Sequence, residues 1–210
     1  MTCPLCQHQS STIFDQDKIR SYYLCGNCEL VFVPREALIS PTEEKKRYDS
    51  HQNSDQDPGY HHYLQNISQE VLPHLLKSER GLDFGCGATK ILGSFFEQRG
   101  HSVDSFDLYY HPDQSIWDKK YDFIILSEVI EHLGEPETVM KRLSSILNPA
   151  GKIFIKTKMY PQKSQFPNWF YKRDITHVQF FNQKSFEFLA QLMKMTGPEK
   201  IGDDLFLFKE

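Results

Sequence analysis

Apolar residues recur along this chain in two rhythms. Between residues 60 and 77, Tyr60, Tyr63, Leu64, Ile67, Val71 and Leu75 fall on one helical face, and Pro73 predicts a kink or split near the end. The stretches 90–99, 136–147 and 183–195 predict three further helices. Gly100 stops the first, and the turn Asn148-Pro149-Ala150-Gly151 ends the second. Shorter apolar runs at 81–84, 102–107, 121–127, 152–157 and 205–208 predict strands. The run at 121–127 is almost unbroken, as in a strand buried on both faces. Strands separated by helices imply an α/β fold with a mostly parallel sheet flanked by helices.

The first 34 residues break this rhythm. Short β-type runs at 12–14, 22–24 and 30–33 flank two cysteine pairs, Cys3-Pro4-Leu5-Cys6 and Cys25-Gly26-Asn27-Cys28, eighteen residues apart. Each CxxC turn presents two thiolates, and a hairpin between them predicts one tetrahedral Zn²⁺ site of Cys3, Cys6, Cys25 and Cys28. Four incidental buried cysteines, or a redox pair, are the rival readings; neither pair follows a strand of a thioredoxin-like unit. A closed four-thiolate site is structural, and in so small a module zinc supplies folding free energy. The expected division is a zinc ribbon over 1–34, a linker over 35–59 and an α/β domain over 60–210. The linker holds a short helix capped by Ser40-Pro41-Thr42-Glu43-Glu44, and residues 53–59 have loop composition.

Composition narrows the classes. The 210 residues are 39% hydrophobic and 25% charged, ordinary for a globular protein. No apolar run approaches the ~20 residues of a membrane span, and no secretory signal is visible, so no membrane partner is expected. CxxC cysteines without an export signal point to a cytoplasmic setting. A net charge of −4 argues against a broad nucleic-acid surface.

Chemistry enters at Leu82-Asp83-Phe84-Gly85-Cys86-Gly87, between a predicted strand and helix. Gly85 and Gly87 permit a tight turn and close approach to a ligand at a helix start. Asp107 ends the next strand, placed to accept the hydroxyls of a ribose. In series with residues 121–133 (Tyr-Asp-Phe-Ile-Ile-Leu-Ser-Glu-Val-Ile-Glu-His-Leu) and 147–152 (Leu-Asn-Pro-Ala-Gly-Lys), these motifs resemble the class I S-adenosylmethionine-dependent methyltransferases. The resemblance covers roughly residues 60–208 and implies a Rossmann-like sheet. It implies Asp83 near the methionine amino end of S-adenosylmethionine, and Gly85, Cys86 and Gly87 along the cofactor. Asp107 falls on the ribose, Leu108 beside it, and Ser127 and Glu128 at the end of the fourth strand.

The chain departs from the family pattern twice. Thr89 stands where a third glycine is usual. Only residues 108–120 separate the second and fourth strands, too few for the usual helix and third strand, so the sheet is expected to be shortened there. Leu108, Tyr109, Tyr110 and Ile116 are then the nearest apolar candidates to hold the adenine.

After the fourth strand comes Glu128-Val129-Ile130-Glu131-His132. In a helical turn Glu128, Glu131 and His132 share one face, a ligand set for Mg²⁺ or Mn²⁺, and His177 beyond the fifth strand is placed to complete it. The motif resembles that of small-RNA 2′-hydroxyl methyltransferases and of O-methyltransferases of polyprenyl-quinol synthesis, which engage a divalent ion. The resemblance implies a small-molecule or RNA hydroxyl acceptor. Without an ion, His132 or His177 is the candidate general base; a purely structural Glu-His turn is the plainer alternative. Residues 159–181 interleave Tyr160, Phe166, Trp169, Phe170, Tyr171, Phe180 and Phe181 with Lys163, Lys172 and Arg173. They read either as a wall that stacks a ring and holds a phosphate, or as a lid with its own small core. The reading is an O-methyltransferase. Its rivals are a scaffold with a degenerate cofactor pocket and an RNA or protein methyltransferase that docks substrate through the ribbon.

Overall fold

A computed structural model describes residues 1–50 and 56–210. Residues 53–55 of the expected loop over 53–59 lie outside them, and its last two residues, Pro58 and Gly59, instead open a helix that Asp57 caps by accepting from the Gly59 N–H.

The α/β part is a six-stranded sheet in the order β5-β4-β6-β7-β10-β9. β4 (Arg80–Phe84), β5 (Ser102–Phe106), β6 (Tyr121–Ser127) and β7 (Leu147–Lys156) run parallel. β10 (Leu205–Lys209) joins β7 antiparallel, and β9 (Thr196–Gly202) joins β10 the same way. The pleat sorts the side chains of β6 into two cores. Phe123 and Ile125 pack with Phe154, Leu205 and Leu207 against α2 (Pro58–Val71) and α3 (Ile91–Glu97). Ile124 and Leu126 pack with Ile153, Ile155, Phe206 and Phe208 against α4 (Pro136–Ser145) and α5 (Gln183–Met193). The unbroken apolar run at 121–127 therefore marks a strand covered on both faces.

Between β5 and β6 there is a single 3₁₀ turn, Gln114–Asp118. The usual helix and strand are missing, as the short spacing predicts, and β5 is an edge. Near Pro73 the helical pattern breaks into a 3₁₀ turn, Leu72–His74. α1 (Pro41–Asp49) begins with the predicted capping box: the Ser40 hydroxyl accepts from the Glu43 N–H and the Glu43 carboxylate accepts from the Ser40 N–H. Two differences arise from pairing. β7 begins at Leu147, and residues 148–151 bulge out of its ladder with β6, held by Asn148 donating to Asp122 at 2.7 Å. β9 was not predicted: its sequence is polar, contains Gly197 and Pro198, and pairs only with β10. Proline is tolerated at such an edge, and the partner creates the strand.

A second, antiparallel sheet has the order β1-β2-β3-β8. β1 (Ser11–Gln16), β2 (Ser21–Cys25) and β3 (Val31–Phe32) belong to the N-terminal segment. β8 (Gln179–Phe180) comes from the stretch beyond β7. No helix among the described residues is long and apolar enough to cross a membrane.

Candidate active site

Four thiols meet at the N-terminus. The ligand atoms of Cys3, Cys6, Cys25 and Cys28 all lie within 4.8 Å of one another. Cys3 Sγ is 3.6 Å from Cys28 Sγ, and Cys6 Sγ is 3.4 Å from Cys25 Sγ. Tetrahedral zinc with Zn–S of about 2.3 Å needs sulfurs about 3.8 Å apart, so the set fits that ion. The two turns repeat one conformation. Gln7 and Glu29, each four residues past the first cysteine of its pair, have φ of 57° and 58° and donate their N–H to Cys3 O and Cys25 O.

At the C-terminal end of the parallel strands, the glycine loop after β4 is tied to the end of β5. Gly85 and Cys86 donate their N–H groups to Phe106 O at 2.7 and 3.0 Å, and Gly87 donates to Asp107 Oδ2 at 3.1 Å. Gly85 has φ +82°, and a Cβ there would sit 2.3 Å from Val129 Cγ2. Only glycine lets this loop pass the one after β6. Asp107 Oδ1 also accepts from the N–H groups of Tyr109 and Tyr110. Its carboxylate is thus held rigidly at the strand end, with a lone pair left on Oδ2.

A cavity of about 1110 Å³ opens above this loop. Gly85, Gly87, Asp107, Leu108, Ser127 and Glu128 line it, as do His132 and His177. Thr89, in the place of the third glycine, lines it too. Asp83 and Cys86 lie behind the loop, both buried; the Cys86 thiol donates to Gly87 O. Asp83 Oδ2 has no partner among the described residues, and burial, reinforced by the charge of Asp107, pushes its carboxyl up to about 7. An orphaned buried carboxylate next to a glycine loop suits a ligand that carries an ammonium group, so the residues fit S-adenosylmethionine.

On the face of β4 and β5 that α4 covers, Trp117 packs edge-on to Phe84 and Phe106, with the Arg142 guanidinium 3.7 Å from its ring centroid. Both line the cavity with Leu108, Tyr109 and Tyr110, whereas Ile116 is buried in the core. Nothing local in the sequence marks a lone tryptophan as part of the cavity wall, so Trp117 is not among the sequence candidates.

The Glu-x-x-Glu-His segment is not a continuous α-turn. Glu128 sits at φ 54° with its N–H on Lys156 O, and residues Ile130–His132 form a 3₁₀ turn. Glu131 is fully buried. Its Oε1 accepts from the Tyr171 hydroxyl, and its Oε2 has no partner. Burial and the charge of Glu128 hold its carboxyl well above the usual range. The Tyr171 hydroxyl also lies 2.8 Å from Glu128 Oε2, so its one proton is shared between the two carboxylates, and Tyr63 donates to Glu128 Oε1 at 3.0 Å. His132 Nδ1 donates to Thr176 O at 3.1 Å and His177 Nδ1 to Tyr171 O at 2.7 Å. A carbonyl can only accept, so in each neutral ring Nε2 carries the lone pair. The rings lie edge to face at 4.6 Å. Burial pulls the pKa of His177 down, which favours the neutral form. The ligand atoms of Glu131, His132 and His177 are within 4.8 Å of one another. Two imidazoles and a buried, half-satisfied carboxylate fit a divalent ion, and Glu128 joins them through the Tyr171 hydroxyl.

Most of the aromatic stretch at 159–181 is core. Phe166 packs edge-on against Phe14, Tyr22 and Phe180, and the Trp169 ring meets it at a tilt of 43°. Lys172 is buried in an ion pair with Asp15 and with Asp17 at 3.3 Å. From this stretch Asp174 and His177 line the cavity. α1 crosses the opening: Tyr109 donates to Glu44 at 2.5 Å, Tyr110 donates to Asp49 at 2.7 Å, and the Tyr48 ring meets His132 at 5.4 Å.

A family model described as a methyltransferase domain matches residues 56–197. No protein of curated function matches the chain by sequence. Among solved structures, a 1,6-didemethyltoxoflavin-N1-methyltransferase from Burkholderia thailandensis, with S-adenosylhomocysteine bound, has a TM-score of 0.58 at 14% identity. The match covers 96% of this chain and 99% of that one. A SAM-dependent methyltransferase from Archaeoglobus fulgidus has a TM-score of 0.52 at 18% identity over 65% of this chain and 69% of its own. An O-methyltransferase family protein from Burkholderia thailandensis has a TM-score of 0.52 at 12% identity over 79% of this chain and 61% of its own. At these identities the structures share the fold.

Proposed function

The chain belongs to the methyltransferase-domain family and is an S-adenosylmethionine-dependent methyltransferase, and we propose that it methylates a hydroxyl oxygen of a small-molecule or RNA acceptor with the help of a divalent ion. The observation that carries this reading is the convergence of Glu131, buried behind the cavity wall, with His132 and His177, which line it, and with Glu128 joined to them through Tyr171. When bound, S-adenosylmethionine supplies an electrophilic methyl group on a sulfonium. Gly85 and Gly87 would let the backbone approach it, Asp107 would accept from its ribose, and Asp83, buried behind the loop, would supply negative charge for the amino end. Mg²⁺ or Mn²⁺ at Glu128, Glu131, His132 and His177 would supply positive charge that lowers the pKa of a nearby hydroxyl. Nε2 of His132 or His177 takes the hydroxyl proton in the absence of an ion. Walls that fix the acceptor oxygen in line with the methyl contribute most of the rate.

Zinc at Cys3, Cys6, Cys25 and Cys28 belongs to the same proposal. The sulfur spacing supports it. The division into a ribbon over 1–34, a linker over 35–59 and a catalytic domain over 60–210 is proposed from the cysteine pairs and the order of elements, with β8 of the catalytic part completing the ribbon's sheet. A cytoplasmic location suits five free cysteines, four of them gathered as ligands.

The test has two stages. S-adenosylhomocysteine is titrated into the protein in a calorimeter; micromolar binding that weakens at least tenfold in Asp107→Ala supports the cofactor site, whereas no binding by folded protein favours the scaffold reading. Labelled methyl transfer to catechol, polyol and oligoribonucleotide probes then follows. Loss of transfer on chelation, restored by Mg²⁺ or Mn²⁺ with zinc still bound, supports the ion. Full transfer in the chelated protein removes it from the mechanism.

A further inference from the structure

Arg20 lies at the start of β2 in the N-terminal ribbon, far in sequence from the histidines, and is 8% exposed. Its guanidinium donates to three main-chain carbonyls of one loop: Nη1 to Ile175 O at 2.7 Å, and Nη2 to Lys172 O and to Asp174 O, both at 3.0 Å. Its Nε donates to the Tyr22 hydroxyl at 3.0 Å. The same loop supplies the carbonyls that orient both candidate histidines: Tyr171 O accepts from His177 Nδ1, and Thr176 O accepts from His132 Nδ1. Arg20 therefore grips three peptides of the stretch that lies between the two acceptors. The ribbon tightens this grip at both ends. Lys172 is ion-paired with Asp15 and Asp17 of the β1–β2 hairpin, and Val33 N–H donates to Val178 O at 2.9 Å, just past His177.

We propose that Arg20 is a positioning residue for His132 and His177, so that the cysteine module forms the outer wall of the active site. This inference rests on the role given to the two histidines above. A planar guanidinium forks onto several carbonyls at once; an ammonium cannot reproduce that geometry. Carbonyls held in place set the tautomer and the ring orientation of the histidines they accept from.

The experiment uses full-length, zinc-loaded protein labelled with ¹³C-histidine and saturated with S-adenosylhomocysteine. The Cε1–H resonances of His132 and His177 are assigned from His132→Gln and His177→Gln. In Arg20→Gln both resonances leave their wild-type positions. The resonance of His101, whose ring meets Glu79 O at the opposite end of the sheet, stays in place. Affinity for S-adenosylhomocysteine changes less than about twofold, because Arg20 touches no part of the glycine loop. Methyl transfer to an accepted probe falls about ten- to a hundredfold in kcat. Arg20→Lys, which keeps the charge, gives the same resonance changes and does not restore kcat. Unchanged His132 and His177 resonances in either folded variant overturn the proposal. Loss of fold in both variants also overturns it and leaves Arg20 a residue of sheet stability. If His177→Gln and His132→Gln retain full turnover while the Arg20 variants still move the resonances, the positioning stands and the catalytic reading of the histidines falls.

Discussion

Asp83 is the residue whose chemistry its surroundings alter most plainly. Burial, then the neighbouring charge of Asp107, raises its carboxyl to about 7, against about 3.9 in an unfolded chain. Below the lower value the group is protonated in both states. Between the two values the native state keeps a proton that the unfolded chain releases, so stability falls as pH rises through that window. Above it the penalty is complete, on the order of 4 kcal/mol. Asp83→Asn should flatten the difference in urea stability between about pH 5 and about pH 8. A ligand ammonium near the orphaned oxygen favours the carboxylate. Binding of S-adenosylhomocysteine near pH 6 should therefore release a proton in the wild type and none in Asp83→Asn, read from calorimetry in buffers of different ionisation enthalpy. Gly85→Ala forces a methyl to 2.3 Å from Val129 Cγ2 at φ +82°. Its affinity for the same ligand should drop at least about tenfold, given a strain of roughly 1–2 kcal/mol.

Among the elements, α1 and α5 are held differently. α5 buries Phe186, Leu189, Ala190 and Met193. α1 buries no residue, and spans the cavity on polar contacts such as Tyr109 to Glu44 and Arg47 to Asp174 at 3.4 Å. Exposed pairs of that kind contribute about 0–1 kcal/mol each. Amide exchange in 41–49 should be much faster than in α5, and faster again in Glu44→Gln, with α5 unchanged. Equal protection of the two helices in the wild type would contradict this account.

Over the whole molecule, the cysteine module and the catalytic sheet share one apolar core. Cys3, Leu5, Cys25, Cys28 and Leu30 cluster with Leu126, Phe181, Phe186 and Phe206. β8, drawn from the stretch after β7, completes the ribbon's sheet. Thermal unfolding of the zinc-loaded chain should be a single transition in scanning calorimetry. Cys28→Ser or strong chelation should lower that one midpoint rather than split it in two. Two separate transitions would mean that the module folds by itself.

What the sequence alone determined is local or periodic. The apolar rhythm of 121–127 marks a central strand, and Pro73 marks the break after α2. Ser40 and Glu43 mark the start of α1, and the CxxC pairs foretell the four-sulfur cluster. The short interval 108–120 announces the missing strand. Each signal lies within a few residues of its effect, because helices, turns and strand faces are governed by near neighbours. The tertiary structure decided what depends on distant partners. β9 exists through its pairing with β10, and Trp117 reaches the cavity by packing on Phe84 and Phe106 beneath Arg142. Tyr171 bridges Glu128 and Glu131 from some forty positions away, and Lys172, Phe166 and Phe180 turn inward as core while Lys163, Phe170 and Arg173 stay exposed. Arg20 reaches the histidine loop only because β3 pairs with β8. No local pattern encodes those meetings; they follow from burying two apolar faces of one sheet and closing a second against its end.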